Sequence, residues 1–231
     1  MKNFIINLIK KFGRVSNPIL TFDIREELQR MATRSTAIFV KQEMASVHSV
    51  DTRFGVHDVA MEYVHEDGLI MEFGVFSGLT TNYIAKSFAD RVVHGFDSFE
   101  GLPESWYDGL DKGHFAMDAL PKVLSNVILH EGWFDKSIPL FLSKNPSASS
   151  IAYLHVDCDL YSSTKTIFDC LKHLFVDGTI IVFDEYFNYD GWESGEHLAF
   201  QEFLKEGNFS VEWLSYNYKG NQVAARLIKI K

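Results

Sequence analysis

Two short apolar runs of this chain end in paired acids, His155-Val156-Asp157-Cys158-Asp159 and Phe183-Asp184-Glu185-Tyr186. Carboxylates gathered at one place raise one another's pKa and destabilise a fold unless a cation stands between them. Oxygen ligands of this kind favour Mg2+, Ca2+ or Mn2+. Zinc would want Cys or His at closer spacing than Cys158 and Cys170 offer. Side chains alternate along a strand, so Asp157 and Asp159 are expected to share a face with Cys158 turned away. The competing reading has Asp159 capping a helix that begins near Ser162.

A second chemical signal is the turn Glu72-Phe73-Gly74-Val75-Phe76-Ser77-Gly78. Gly74 allows a tight turn, and Gly78 would let a helix approach a ligand without a Cβ in the way. The pattern is G-x-x-x-G and not the dinucleotide G-x-G-x-x-G, which removes the main support for a nicotinamide cofactor. Glu72 opposes a pyrophosphate but suits a cationic ligand with a free amine, and S-adenosylmethionine carries both a sulfonium and an α-amino group. Asp97 follows Glu72 by 25 residues, close to the offset of about 20 at which an acid meets ribose hydroxyls in nucleotide-binding α/β folds. Glu131-Gly132-Trp133-Phe134 supplies an aromatic that can line an adenine pocket or fill the core. The expected cofactor contacts are therefore Glu72, Phe73, Gly74, Gly78, Asp97, Ser98, Gly132, Trp133 and Asp157.

Chemistry at such a site would also need a group to take up a proton. His197 is the one histidine besides His155 placed near the same rim, and it is assigned that role beside Asp157. A solvated helix residue next to Glu196 is its plainer reading, and His155 reads as a core histidine. Tyr186, Phe187, Tyr189 and Trp192 form either a substrate wall or a lid folded over core.

The elements that must hold these residues alternate from residue 56 onward. Leu69–Phe73, Val92–Phe96, Val127–His130, Ile151–Val156 and Thr179–Phe183 are short runs rich in Val, Ile and Phe, apolar on both faces, as in a parallel sheet covered by helices. Helical patterns intervene at Leu79–Phe88, Phe115–Leu124, Ser137–Leu142, Ser163–Phe175 and Glu196–Glu206. Phe209–Tyr216 and Val223–Ile230, joined at Lys219-Gly220-Asn221, form a terminal antiparallel hairpin. The expectation is a three-layer αβα sandwich, Rossmann-like, with a mixed seven-stranded sheet, and ligands bound outside the carboxyl ends of its strands. Residues 1–55 read as a helical extension, including Phe22–Met31 and Ala37–Val47, that caps the sheet or contacts a second subunit. Residues 56–231 read as the catalytic domain. Met1–Phe12 is amphipathic with three lysines, which also fits a weak membrane-surface helix.

Composition bounds the rest. With 231 residues, 46% hydrophobic and 23% charged, the chain can bury a core and is not of disordered type. A net charge of −9 argues against a nucleic-acid footprint, and residues 1–60 hold +3 of that balance, which leaves −12 for the remainder. No apolar run approaches the roughly 20 residues of a membrane span, and Lys10 and Lys11 interrupt the opening before a signal peptide is complete, so a cytoplasmic protein is expected.

Four motifs in order resemble one family. Asp157-Cys158-Asp159-Leu160-Tyr161-Ser162-Ser163-Thr164 fits a D-x-D-x-Y-x-S-T pattern, and Asp184-Glu185-Tyr186 stands where D-D-Y is usual. Together with Glu72-Phe73-Gly74-Val75 and Gly95-Phe96-Asp97-Ser98-Phe99-Glu100-Gly101-Leu102-Pro103, they are similar to macrocin O-methyltransferase-like enzymes over about residues 56–205. The resemblance implies a class I S-adenosylmethionine-dependent methyltransferase acting on a hydroxyl, often of a sugar in a secondary metabolite, with Mg2+ in the site. By position, Asp157, Asp184 and Glu185 become the metal ligands, Glu185 being one methylene longer than the family's usual Asp. Two rivals are a nicotinamide-dependent oxidoreductase, which lacks its phosphate loop, and a non-catalytic interaction module that kept the fold. A metal-dependent hydrolase is a weaker third, since no nucleophile is evident.

Overall fold

The computed structural model describes residues 23–230 apart from Glu66, so the amphipathic segment Met1–Phe12 lies outside the described residues. The described residues open with α1 (Ile24–Glu43), β1 (His48–Val50) and α2 (Arg53–Glu62), followed by β2 (Leu69–Phe73), α3 (Leu79–Ser87), β3 (Val93–Asp97) and β4 (Val127–Glu131). Then come α4 (Phe134–Lys144), β5 (Ile151–Val156), α5 (Tyr161–Leu171), β6 (Ile180–Phe183), α6 (Glu196–Gly207), β7 (Phe209–Asn217) and β8 (Val223–Lys229). Among the described residues, no helix is long and apolar enough to cross a membrane.

The strands form one sheet in the order β1-β7-β8-β6-β5-β2-β3-β4, and β8 alone runs against its neighbours. Alternation along the strands divides the core. Met71, Phe73, Leu154, Val156, Ile181 and Phe183 pack with residues of α4, α5 and α6. Ile70, Tyr153, Ile180 and Val182 face the other way, onto Val56 and Ala60 of α2 and Ile84 and Ala85 of α3. Both faces of the central strands are therefore covered, and this is why they read as continuous apolar runs. The thickest packing is aromatic, with Phe168 of α5 stacked on Phe203 of α6 at 4.5 Å between centroids. Phe168→Ala is expected to cost about 3–5 kcal/mol through lost burial and the cavity left behind. Thermal unfolding should show it as a melting point lower by roughly 6–20 °C.

The structure departs from the sequence reading in three places. Residues 115–124 form no helix. Phe115 stands at φ +70°, and the Asn82 side chain takes two of the segment's backbone groups, donating to the Lys122 carbonyl at 3.0 Å and accepting from the Leu124 N–H at 2.8 Å. The two helices expected within residues 22–47 are one, α1, started by the Asp23 carboxylate accepting the Arg25 N–H at 3.0 Å. The sheet has eight strands and not seven, because His48–Val50 pairs in parallel with β7. That short strand draws residues 48–50, read as part of a helical extension, into the sheet and sets the start of α2, where Thr52 accepts the Gly55 N–H at 3.0 Å.

Candidate active site

Sequence order turns around between β2 and β5: β3 and β4 lie on one side of β2, β5 and β6 on the other. The crevice outside the carboxyl ends at such a switch point is where open α/β sheets bind ligands. Gly74 leaves β2 there at φ +97°, and a Cβ on it would stand 1.6 Å from the Asp157 carbonyl oxygen. Backbone hydrogen bonds lock the strand ends together: Asp157 N–H to Phe73 O at 2.8 Å, Gly74 N–H to Phe96 O at 2.9 Å and Asp184 N–H to Val156 O at 2.9 Å.

Above these ends lies a cavity of about 590 Å3, within the range of small-molecule sites. Its floor holds Asp157, Asp159, Asp184 and Glu185, with Arg53 reaching in from the first turn of α2. Its walls include Phe76, Leu102, Trp106, Phe115, Trp133 and Phe134. The segment after β3 roofs it, held by Leu102 N–H to His114 O at 2.9 Å, Met117 N–H to Phe99 O at 3.0 Å and Ser162 Oγ–H to Glu104 Oε1 at 2.6 Å.

The acids form two groups that share Asp157. Ligand atoms of Asp157, Asp159 and Glu185 lie within 4.8 Å of one another, as do those of His155, Asp157 and Asp184. Asp184 is 1% exposed, and Arg53 Nη2 stands 3.1 Å from its Oδ2, although neither oxygen receives an aligned hydrogen bond. Burial, with Asp184 and Asp159 next, holds the Asp157 carboxyl well above the usual range, and Arg53 opposes that rise. Burial and Asp184 do the same to Glu185, whose Oε2 has no partner. Behind them Glu196 is fully buried with both oxygens unpartnered, its proton held by burial and by Asp159 and Asp184, while backbone groups of Cys158 and Glu185 pull the other way.

Asp159 is pushed up to about 7, first by burial and then by Asp184, against a hydrogen bond with Glu185. The folded chain thus binds this proton more tightly than the unfolded chain does. The group's contribution to stability is full below about pH 4 and is lost as pH rises through about 7. In EDTA the protein is expected to melt at a lower temperature at about pH 8 than at about pH 5.5, and a divalent cation should recover most of the difference. A melting point that rises with pH in EDTA would contradict this account of the cluster.

The expected site residues fall into two classes. Asp157, Asp184, Glu185, Gly74, Asp97, Ser98 and Trp133 do line the cavity. Asp159 joins them and caps nothing: α5 starts at Tyr161 with Leu160 as its cap residue, and Asp159 sits at φ +66°. Asp97 is largely engaged already, its Oδ2 accepting the N–H groups of Val75 at 2.9 Å and Phe76 at 2.8 Å and its Oδ1 that of Phe99 at 2.7 Å. One lone pair on Oδ1 is left for an outside hydroxyl.

Other expectations fail for plain reasons. Glu72 is fully buried, one oxygen accepting the Thr81 hydroxyl and the other lying 2.9 Å from His155 Nδ1, so it is a strut beneath the cavity and not part of its wall. Phe73 is core, stacked on Phe96 at 4.6 Å. Gly78 caps α3 at φ +77°, and a Cβ there would touch Pro121 and Val123, so its freedom serves the turn and not a ligand. Gly132 lies outside the cavity lining, its N–H donating to the Asp97 carbonyl at 2.9 Å. His197 is enclosed by Phe39, Tyr186 and Trp192, with centroids 4.9–5.4 Å away, and does not reach the cavity. Tyr186 and Phe187 are core, while Tyr189 stacks on Tyr107 at 5.1 Å beside Trp106.

Sequence reasoning missed Arg53 and Glu196. Arg53 sits in a stretch read as an extension, and only the strand at 48–50 brings it to the site. Glu196 looks like any acid in a helix's first turn.

Comparison with known proteins agrees with this geometry. A family described as a methyltransferase domain matches residues 71–186. No curated protein matches the chain. Among solved structures, the calicheamicin methyltransferase CalS11 is similar at 24% identity and a TM-score of 0.58, over 75% of this chain and 77% of that one. The O-methyltransferase NovP is similar at 19% identity and a TM-score of 0.56, over 77% and 79%. An O-methyltransferase from Bacillus cereus in complex with SAH gives 16% identity and a TM-score of 0.50, over 94% and 96%. At such identities these likenesses establish the fold. The family match spans the strand ends that build the cavity, from Met71 to Tyr186, and the chain belongs to the methyltransferase-domain family.

Proposed function

We propose that this protein transfers a methyl group from S-adenosylmethionine to a hydroxyl oxygen of a small molecule, with a hard divalent cation at the carboxylate cluster. One observation carries the reading: at the sheet's switch point, the clustered carboxylates of Asp157, Asp159 and Glu185, with Glu185 Oε2 buried and unpartnered, meet an aromatic-walled cavity. The donor set is almost all oxygen, which suits Mg2+ or Mn2+. Of the expected ligands Asp157, Asp184 and Glu185, the geometry groups Asp157 and Glu185 with Asp159, and these three would hold the ion while Asp184 pairs with Arg53. When bound, the donor supplies an electrophilic methyl group and the ion makes an acceptor hydroxyl more acidic.

The chain's own residues do the rest. Trp133, Phe134, Phe76 and Phe115 line the cavity and would offer apolar surface to a planar base, and Asp97 Oδ1 keeps a lone pair for one ribose hydroxyl. The negative floor favours a sulfonium and an ammonium over a phosphate. Holding both reactants beneath the segment after β3 would remove much of the entropic barrier. A sugar acceptor is the preferred class, in keeping with CalS11, a TDP-rhamnose 3'-O-methyltransferase of calicheamicin biosynthesis. We read the protein as cytoplasmic, acting on no nucleic acid, with residues 1–55 capping the sheet or meeting a second copy.

The test is incubation with methyl-labelled S-adenosylmethionine and a panel of glycosides and phenols, with Mg2+ or with EDTA. Label on an acceptor oxygen, lost in EDTA, is expected. Calorimetry showing no binding of either S-adenosylmethionine or S-adenosylhomocysteine would overturn the reading.

A further inference from the structure

Among the described residues, Arg53 is the one cationic side chain lining the cavity, against six carboxylates. Its place is set by Thr52, which caps α2 and puts Arg53 in the first turn, pointing across the floor. The guanidinium reaches Asp184, which is almost fully buried, while Arg53 itself stays 42% exposed. Its charge also acts on Asp157, the residue common to both acid groups. The inner group of His155, Asp157 and Asp184 thus already has a positive partner, whereas the outer group of Asp157, Asp159 and Glu185 has no cationic partner among the described residues.

We propose that Arg53 is the resident cation of this cluster and sets the affinity of the neighbouring metal position: it neutralises Asp184 before an ion arrives, then opposes the ion across the shared Asp157. This inference rests on the metal reading above. Two positive charges that share Asp157 would repel, and although Arg53 is 42% exposed, the carboxylate it pairs with is 1% exposed, which limits screening between them. A guanidinium in place of a second ion also leaves the metal weakly held and exchangeable. Arg53 is therefore a positioning residue with a cost in metal affinity, not a ligand and not a catalytic residue.

The experiment is Mn2+ binding by calorimetry, at about pH 8, to the wild-type protein and to R53Q, R53M and R53K. R53M keeps the apolar stem, so the two neutral variants check each other should one fold poorly. Both are expected to bind Mn2+ about tenfold more tightly or better, while R53K, which keeps the charge, stays within about threefold of wild type. In EDTA the neutral variants should melt below wild type, and Mn2+ should raise their melting points by more than it raises the wild type's. Wild-type or weaker affinity in R53Q and R53M, with the wild type binding Mn2+, would overturn the role of Arg53 and leave the metal reading intact. No Mn2+ binding by any of the four proteins would overturn both.

Discussion

Asp157→Asn is expected to lower kcat/KM by about a thousandfold or more while leaving affinity for S-adenosylhomocysteine within about threefold. Asp157 is the acid that both groups share. Its backbone N–H already holds the end of β5 to the Phe73 carbonyl at 2.8 Å, so the strand end does not depend on the side chain. Asparagine keeps the volume but presents one neutral oxygen and an amide donor to Asp159, Asp184 and Glu185, and a hard cation loses its central anionic ligand. In the proposed reading the donor would be held mainly by the aromatic wall and Asp97, which the substitution does not touch. Methyl-transfer rates beside calorimetry separate the two effects. Full activity in this variant, above all in EDTA, would exclude a metal-assisted mechanism.

Gly74→Ala should be the most damaging single methyl in the protein. At φ +97° alanine is already strained, and its Cβ would lie 1.6 Å from the Asp157 carbonyl oxygen and 2.6 Å from its carbon. Backbone on the opposite strand cannot rotate away as a side chain would, so β2 and β5 must part or the turn must refold. A loss of about 4 kcal/mol or more is expected, seen as a melting point lower by about 10 °C or more, or as insoluble protein. Gly113 provides the contrast. It has a similar φ of +83° but nothing within 4 Å of its Cβ position. Gly113→Ala should therefore cost only the conformational strain, about 1–2 kcal/mol. Equal melting points for the two variants would show that the close approach of β2 to β5 is not what holds the switch point.

The contrast between Gly74 and Gly113 also shows how far a residue list can be read. Gly74 lies between Phe73 and Val75 and Gly113 between Lys112 and His114, but neither setting shows what a Cβ would meet across the fold. The strand runs were legible because burial on both faces leaves a continuous apolar signature, and the acids at their ends were legible because strands stop where polarity returns. His197 was misplaced for the opposite reason. Trp192 is only five residues away, but Phe39 comes from α1, and that long-range contact, which completes the aromatic enclosure, leaves no local trace. Residues 115–124 read as a helix because their periodicity is local, whereas the Asn82 bonds that keep them extended are not. Glu72 was recognised as special and given the wrong task. A carboxylate at a strand end looks alike whether it faces the ligand or, as here, Thr81 and His155 beneath it.

The amino-acid order alone determined the alternation of strands and helices, the αβα layering and the clustering of acids at strand ends, because hydrophobic periodicity and chain polarity are one-dimensional properties. Only the tertiary structure decided which acids face the cavity, that Arg53 stands among them and that Glu72 does not. Those outcomes depend on which strands become neighbours, and the charge that a carboxylate meets is set by distances across the sheet and not by distances along the chain.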